Sequence, residues 1–153
     1  MGLDVGDKVP VFSAISDTGE TFNSQEVIGK KPVVVYFYPK NFTPGCTKEA
    51  CGFRDSYADF QHLGAEVIGI SLDGAKSHTR FKNKYSLPFL FLSDPKGGLR
   101  KIFGVKPGLL GLLPGRETFV IDADGIVQLK FNSMNASSHI RMAIAKMKEI
   151  IGE

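Results

Sequence analysis

Val33-Val34-Val35-Tyr36-Phe37-Tyr38-Pro39-Lys40-Asn41-Phe42-Thr43-Pro44-Gly45-Cys46 is the stretch from which the rest of the chain can be organised. Val33–Tyr38 is β-branched and aromatic throughout, the pattern of a strand buried on both faces. Pro39 has no N–H for a sheet ladder and stops it. Lys40–Gly45 is a loop rich in turn residues. From about Thr47 to Leu63 the apolar residues Ala50, Phe53, Tyr57 and Phe60 recur at three- and four-residue steps, which predicts a helix. Gly64 supplies its end. A buried strand therefore leads through a short loop into a helix, with Cys46 at the junction.

The same alternation continues downstream. Glu66–Leu72 reads as a second buried strand, Ala75–Tyr85 as a helix, Phe89–Leu92 as a third strand and Leu99–Phe103 as a short helix. Glu117–Asp122 and Ile126–Phe131 form a hairpin across Ala123-Asp124-Gly125, and a last helix over Ser137–Ile151 carries Ile140, Ile144, Met147 and Ile151 on one face. Upstream, Val11–Ser16 and Thr21–Asn23 pair as a hairpin across Asp17–Glu20, and Ser24 is expected to cap a helical turn through Val27 that ends at Gly29. Periodicity alone supports an α/β chain with one sheet and helices on both sides. The full order describes a thioredoxin-like fold: a central mixed β-sheet flanked by helices, with an N-terminal β-hairpin. A length of 153 residues suits a single domain, 1–153.

Composition excludes several classes. Hydrophobic residues at 42% and charged residues at 23% are ordinary for a globular protein, not a disordered one. The net charge of +3 is spread along the chain, with no basic block of the kind that binds nucleic acid or anionic lipid, so neither partner is expected. No apolar run approaches the ~20 residues of a membrane helix. Met1–Asp7 has neither a charged n-region nor an apolar h-region, so no secretory signal is expected. Two cysteines are too few for a secreted disulfide scaffold. In a reducing compartment a close pair points to catalysis or redox sensing.

Cys46 falls at or inside the first turn of the predicted helix. Free backbone N–H groups and the positive end of the helix dipole stabilise a thiolate over a thiol there. Cys51 follows five residues later on the same helix, a rise of ~7.5 Å and a rotation of ~140°. The Cα atoms of such a pair lie ~8.7 Å apart, beyond the ~6.8 Å that a disulfide tolerates. The two cysteines either never pair or pair only when the helix start unwinds.

Pro39-x-x-x-Thr43-x-x-Cys46 matches the active-site signature of peroxiredoxins. The run Val34–Pro39 followed by Thr43–Asp55 resembles the peroxiredoxin Q (bacterioferritin comigratory protein) subgroup. Gly64–Ser71, Leu92-Ser93-Asp94 and Arg116-x-Thr118–Asp122 extend the likeness over nearly the whole chain. The resemblance implies a thiol-dependent peroxidase. Cys46 would attack the peroxide and become a sulfenic acid, and Cys51 would resolve it as a Cys46–Cys51 disulfide. Thr43 would hydrogen-bond the thiolate and the peroxide, Arg116 would pair with the thiolate and the transition state, and Pro39 would shape and shield the pocket. It further implies hydrogen peroxide and organic hydroperoxides as substrates, thioredoxin or glutaredoxin as reductant, no cofactor or metal, and a monomer. The expected compartment is the cytoplasm, or the plastid stroma if a transit peptide has been removed.

Other residues read more plainly. His62, His78 and His139 lack ligand spacing and are expected on the surface or on helices. Cys-x-x-x-x-Cys without a nearby His is a poor zinc site. Glu49 and Arg54 read as a solvated helix face. Gly97-Gly98 lacks a phosphate-binding fingerprint. The apolar segment Leu109–Gly115 reads as a loop packed on the core, or as a docking surface beside the site. Two other functions fit the fold: a disulfide exchanger, whose chemistry usually uses Cys-x-x-Cys, and a binding or chaperone module with inert cysteines.

Overall fold

Alternate residues of the buried strand face two different cores. Val34 and Tyr36 pack with Phe53, Phe60, Phe81 and Met147 on one side of the sheet, while Val33, Val35 and Phe37 pack with Leu99, Phe103, Phe119 and Ile121. This is the two-residue period of a strand, with apolar matter on both faces. Fully burying one such side chain contributes about 1.5–3 kcal/mol.

The computed structural model describes residues 2–107 and 115–152. Among them the order is β1 (Ser13–Ser16), β2 (Thr21–Asn23), a 3-10 turn (Ser24–Glu26), β3 (Val33–Phe37), α1 (Pro44–Asp55), α2 (Tyr57–His62), β4 (Glu66–Ser71), α3 (Ala75–Tyr85), β5 (Leu90–Ser93), α4 (Gly98–Phe103), β6 (Glu117–Ile121), β7 (Val127–Asn132) and α5 (Ala136–Ile151). The sheet runs β2-β1-β5-β4-β3-β6-β7. β3, β4 and β5 are parallel; β6 and β7 add antiparallel on one side, and the β1–β2 hairpin adds antiparallel to β5 on the other. This is the mixed, helix-flanked, thioredoxin-like sheet expected from the sequence. Among the described residues no helix is long and apolar enough to cross a membrane.

Three local readings change. The helix expected over Thr47–Leu63 is two helices, α1 and α2, interrupted at Ser56, whose φ −101° and ψ 3° leave the helical region. Asp55 and Ser56 are weak helix formers whose side chains compete for backbone groups. The first of the two helices starts earlier, with Pro44 in the first turn, where a missing N–H costs nothing. The cap of the short turn after β2 is Asn23, not Ser24: its side chain accepts from Gln25 N–H while Glu26 accepts from Asn23 N–H.

Candidate active site

The carboxyl end of β3 opens into the loop that carries Pro39 and Thr43, and a buried polar network fixes that loop. Burial pushes the Tyr38 phenol well above its ordinary value, so it stays protonated and donates to Asn41 Oδ1 at 2.5 Å. The amide nitrogen of Asn41 lies 3.0 Å from His78 Nδ1, and His78 Nε2 lies 3.1 Å from the Leu92 carbonyl. A carbonyl only accepts, so Nε2 carries the proton and Nδ1 accepts from Asn41. Burial pushes His78 down, in keeping with this neutral form. Asn41 N–H donates to Asp73 Oδ2 at 2.9 Å, which also accepts from the Ser71 hydroxyl at 2.7 Å. The loop is thereby tied to the ends of β4 and β5. His78, expected on a helix or the surface, is a fully buried residue of α3.

Cys46 occupies the first turn of α1 and is almost fully buried. Arg116, the residue before β6, donates from Nη2 to Cys46 Sγ at 3.4 Å and from Nη1 to Glu49 Oε1. The fork of one guanidinium thus spans the cysteine and a carboxylate one turn further along the helix. Gly45 permits the approach, since a Cβ there would lie 3.0 Å from Arg116 Nη2. Glu49 is wholly buried, which corrects its reading as part of a solvated face. Burial pushes its carboxyl up, against the downward pull of Arg116.

His139 closes the back of this cluster; it lies on a helix, α5, as one of the two expected placements had it, and its side chain is buried. Its Nε2 lies 2.6 Å from the Ser133 carbonyl and its Nδ1 lies 2.7 Å from Thr118 Oγ1. Burial pushes it down to about 4, so it is neutral, donating from Nε2 and accepting at Nδ1. Its 3.7 Å approach to Glu49 Oε2 is therefore not an ion pair.

A cavity of about 530 Å³ opens onto Cys46 and is lined by Pro39, Thr43, Leu72, Met134 and Arg116 among others. The sequence-derived residues Pro39, Thr43, Cys46 and Arg116 therefore meet at one surface. The Thr43 hydroxyl donates to the Lys40 carbonyl at 2.8 Å, so in this state its hydrogen is directed at the loop and not at Cys46. Cys51 is half-buried, and both cysteines are free on the intact α1. The apolar segment before Arg116 lies, apart from Gly115, outside the described residues. Among the described residues no cluster of His, Cys, Asp and Glu could hold a metal ion.

The profile of the AhpC/TSA family matches residues 5–130. The chain belongs to this family. It is 52% identical to chloroplastic peroxiredoxin Q of Sedum lineare over 128 residues, covering 84% of this chain and 68% of that protein. It is 52% identical to chloroplastic peroxiredoxin Q of Populus jackii over 131 residues, covering 86% and 61%. The chain thus spans roughly two thirds of these relatives' length. Among solved structures, peroxidoxin BcpB of Mycobacterium tuberculosis superposes with a TM-score of 0.88 at 38% identity, covering 97% of this chain and 98% of that one. These likenesses place the chain in the peroxiredoxin Q subgroup.

Several residues of this peroxiredoxin site escaped the sequence reading. Asn41, Glu49, His78 and His139 are polar residues that local patterning assigns to solvent. For Glu49 a signal was present: it lies one turn after Cys46 and one position before the apolar Ala50, on the side of α1 that packs inward. Asn41, His78 and His139 each also bond a distant segment, at Asp73 and His78, at Leu92 and at Thr118, and no local pattern marks those contacts.

Proposed function

We propose that the protein is a two-cysteine thiol peroxidase in which Cys46 is peroxidatic and Cys51 resolving. The observation that carries this reading is the Arg116 guanidinium set against Cys46 Sγ at the first turn of α1, with Cys51 on the same helix. The Cys46 thiolate attacks the terminal oxygen of ROOH. The O–O bond breaks, an S–O bond forms, and RO⁻ leaves to be protonated from solvent as ROH. Arg116 stabilises the negative charge as it moves from sulfur to oxygen. Thr43 turns its hydroxyl from the Lys40 carbonyl to the bound peroxide, and Pro39 walls the pocket. Cys51 then displaces hydroxide from the Cys46 sulfenic acid, giving the disulfide and water. A thioredoxin or glutaredoxin dithiol reduces that disulfide and is itself oxidised.

The walls formed by Pro39, Leu72 and Met134 suit the organic part of a hydroperoxide, and hydrogen peroxide fits the same cavity. The protein acts as a monomeric single domain, in the cytoplasm or in the plastid stroma, a reading supported by relatives named as chloroplastic. Peroxide consumption by two variants tests the chemistry. Cys46→Ser abolishes it. Cys51→Ser supports one turnover and leaves a sulfenic acid that a cyclic diketone captures. Continued multi-turnover activity in Cys46→Ser would sink the reading.

A further inference from the structure

The two halves of the site leave the sheet side by side. Phe37 and Glu117 are the last paired residues of β3 and β6. Beyond them Tyr38 leads into Pro39 after β3, and Gly115 and Arg116 lead into β6. Pro39 has no N–H with which to prolong the ladder. Arg100 of α4 takes its place. Its Nη2 donates to the Tyr38 carbonyl at 2.7 Å and its Nη1 to the Gly115 carbonyl at 3.0 Å.

The clamp is itself well held. The Arg100 guanidinium carbon lies 5.7 Å from the centre of the Phe37 ring. Arg100 N–H donates to Asp94 Oδ2 at 3.0 Å and Leu99 N–H to Asp94 Oδ1 at 2.9 Å, while Asp94 N–H donates to the Ser71 carbonyl at 2.8 Å. The root of the side chain is thus anchored to the end of β4, and its planar fork sets the spacing of two carbonyls. A flexible ammonium can serve either carbonyl but does not fix their separation.

We propose that Arg100 is a positioning residue of the peroxidase site: by bridging the Tyr38 and Gly115 carbonyls it keeps the Pro39–Cys46 loop and Arg116 in register, so that Arg116 reaches Cys46. It acts through those two segments and not on the peroxide. The assignment rests on the peroxidase reading above. It is separable from a purely structural role, because alkylation of Cys46 needs a reactive, accessible thiolate, whereas peroxide cleavage also needs Arg116 aligned on the transition state.

The test uses Cys51→Ser protein as parent, so that Cys46 is the only thiol, and adds Arg100→Lys or Arg100→Ala. Rate constants are measured with hydrogen peroxide and with iodoacetamide, and folding is followed by circular dichroism. Arg100→Lys keeps the charge and the fold. Its peroxide rate constant is expected to fall roughly 10- to 100-fold, the scale of a small misalignment at a reacting centre, while its iodoacetamide rate stays near the parent's. If Arg100→Ala does not fold, Arg100→Lys decides alone. A peroxide rate in Arg100→Lys equal to the parent's overturns the assignment, as do peroxide and iodoacetamide rates that fall in proportion. A parent that is unreactive toward peroxide overturns the peroxidase reading itself, and the assignment with it.

Discussion

Arg116 Nη2 lies 3.4 Å from Cys46 Sγ, although the two residues are 70 positions apart in the chain. The sheet explains the meeting. β6 runs antiparallel beside β3, so the residue entering β6 stands next to the residues leaving β3. The carboxyl end of the buried strand delivers the nucleophile through loop and helix, and the neighbouring strand delivers the cation.

Replacing Arg116 removes both the transition-state donor and the hydrogen-bond partner of the buried Glu49 carboxyl. Arg116→Met is expected to lower the peroxide rate constant by ~10²–10³ and to destabilise the protein by about 1–3 kcal/mol, because the buried Glu49 carboxyl loses its hydrogen-bond partner. Adding Glu49→Gln to that variant should restore much of the stability and little of the activity. Stopped-flow kinetics and urea unfolding on the single and double variants check both halves.

Gly45→Ala separates activity from stability in the opposite sense. Gly45 is a first-turn helical residue, where alanine is favoured over glycine by about 0.5–1 kcal/mol. The added methyl, however, would stand 3.0 Å from Arg116 Nη2 and press on the guanidinium. The expected result is a melting temperature at or above that of the parent with a peroxide rate constant roughly tenfold or more lower. Unchanged peroxide kinetics would show that Arg116 can yield without cost.

Oxidation should open the start of α1. Cys46 and Cys51 lie on one continuous helix, at a spacing that a disulfide cannot span while the helix is intact. Unwinding also draws Glu49 and Ala50 out of the core. Amide exchange over residues 50–54 is expected to be markedly faster in the disulfide form than in the dithiol form. Equal protection in the two forms would contradict this.

The buried histidines give acid sensitivity with a defined sign. Burial holds His139 at about 4, against ~6.5 in an unfolded chain. Between those values the unfolded state binds the extra proton, so stability falls as pH is lowered. The loss due to His139 is fully absent above ~6.5 and reaches about 3 kcal/mol near pH 4. His78, also pushed down by burial, acts in the same direction. Urea unfolding between pH 4 and 7 should show a shallower fall in His139→Gln than in the parent; parallel profiles would mean that His139 is free to protonate in the folded state.

Much of the fold was legible because its signals are local. An apolar, β-branched run bounded by Pro39 marks β3, and helical spacing marks α3 and α5. Cys46 was legible because its signal is a strand–loop–helix junction contained in fourteen consecutive residues. The break at Ser56 was less visible, since no glycine or proline announces it. Glu49, Asn41, His78 and His139 were misplaced or passed over because a polar side chain is normally assigned to water. Each is buried together with a partner from a distant segment: Arg116 for Glu49, Asp73 and His78 for Asn41, the Leu92 carbonyl for His78, and Thr118 for His139.

The sequence by itself determined where the reactive thiol sits, that a second thiol follows it at a distance forbidding a resting disulfide, and which strands are buried. Those properties depend on residue order over one or two turns of chain. Only the tertiary structure decided that Arg116 divides its fork between Cys46 and Glu49, that His139 stands behind them in neutral form, and that Arg100 bridges the roots of both halves of the site. Those contacts join segments brought together by strand order and by packing of α4 and α5 on the sheet, and a buried hydrogen bond or ion pair takes its meaning from whichever distant group completes it.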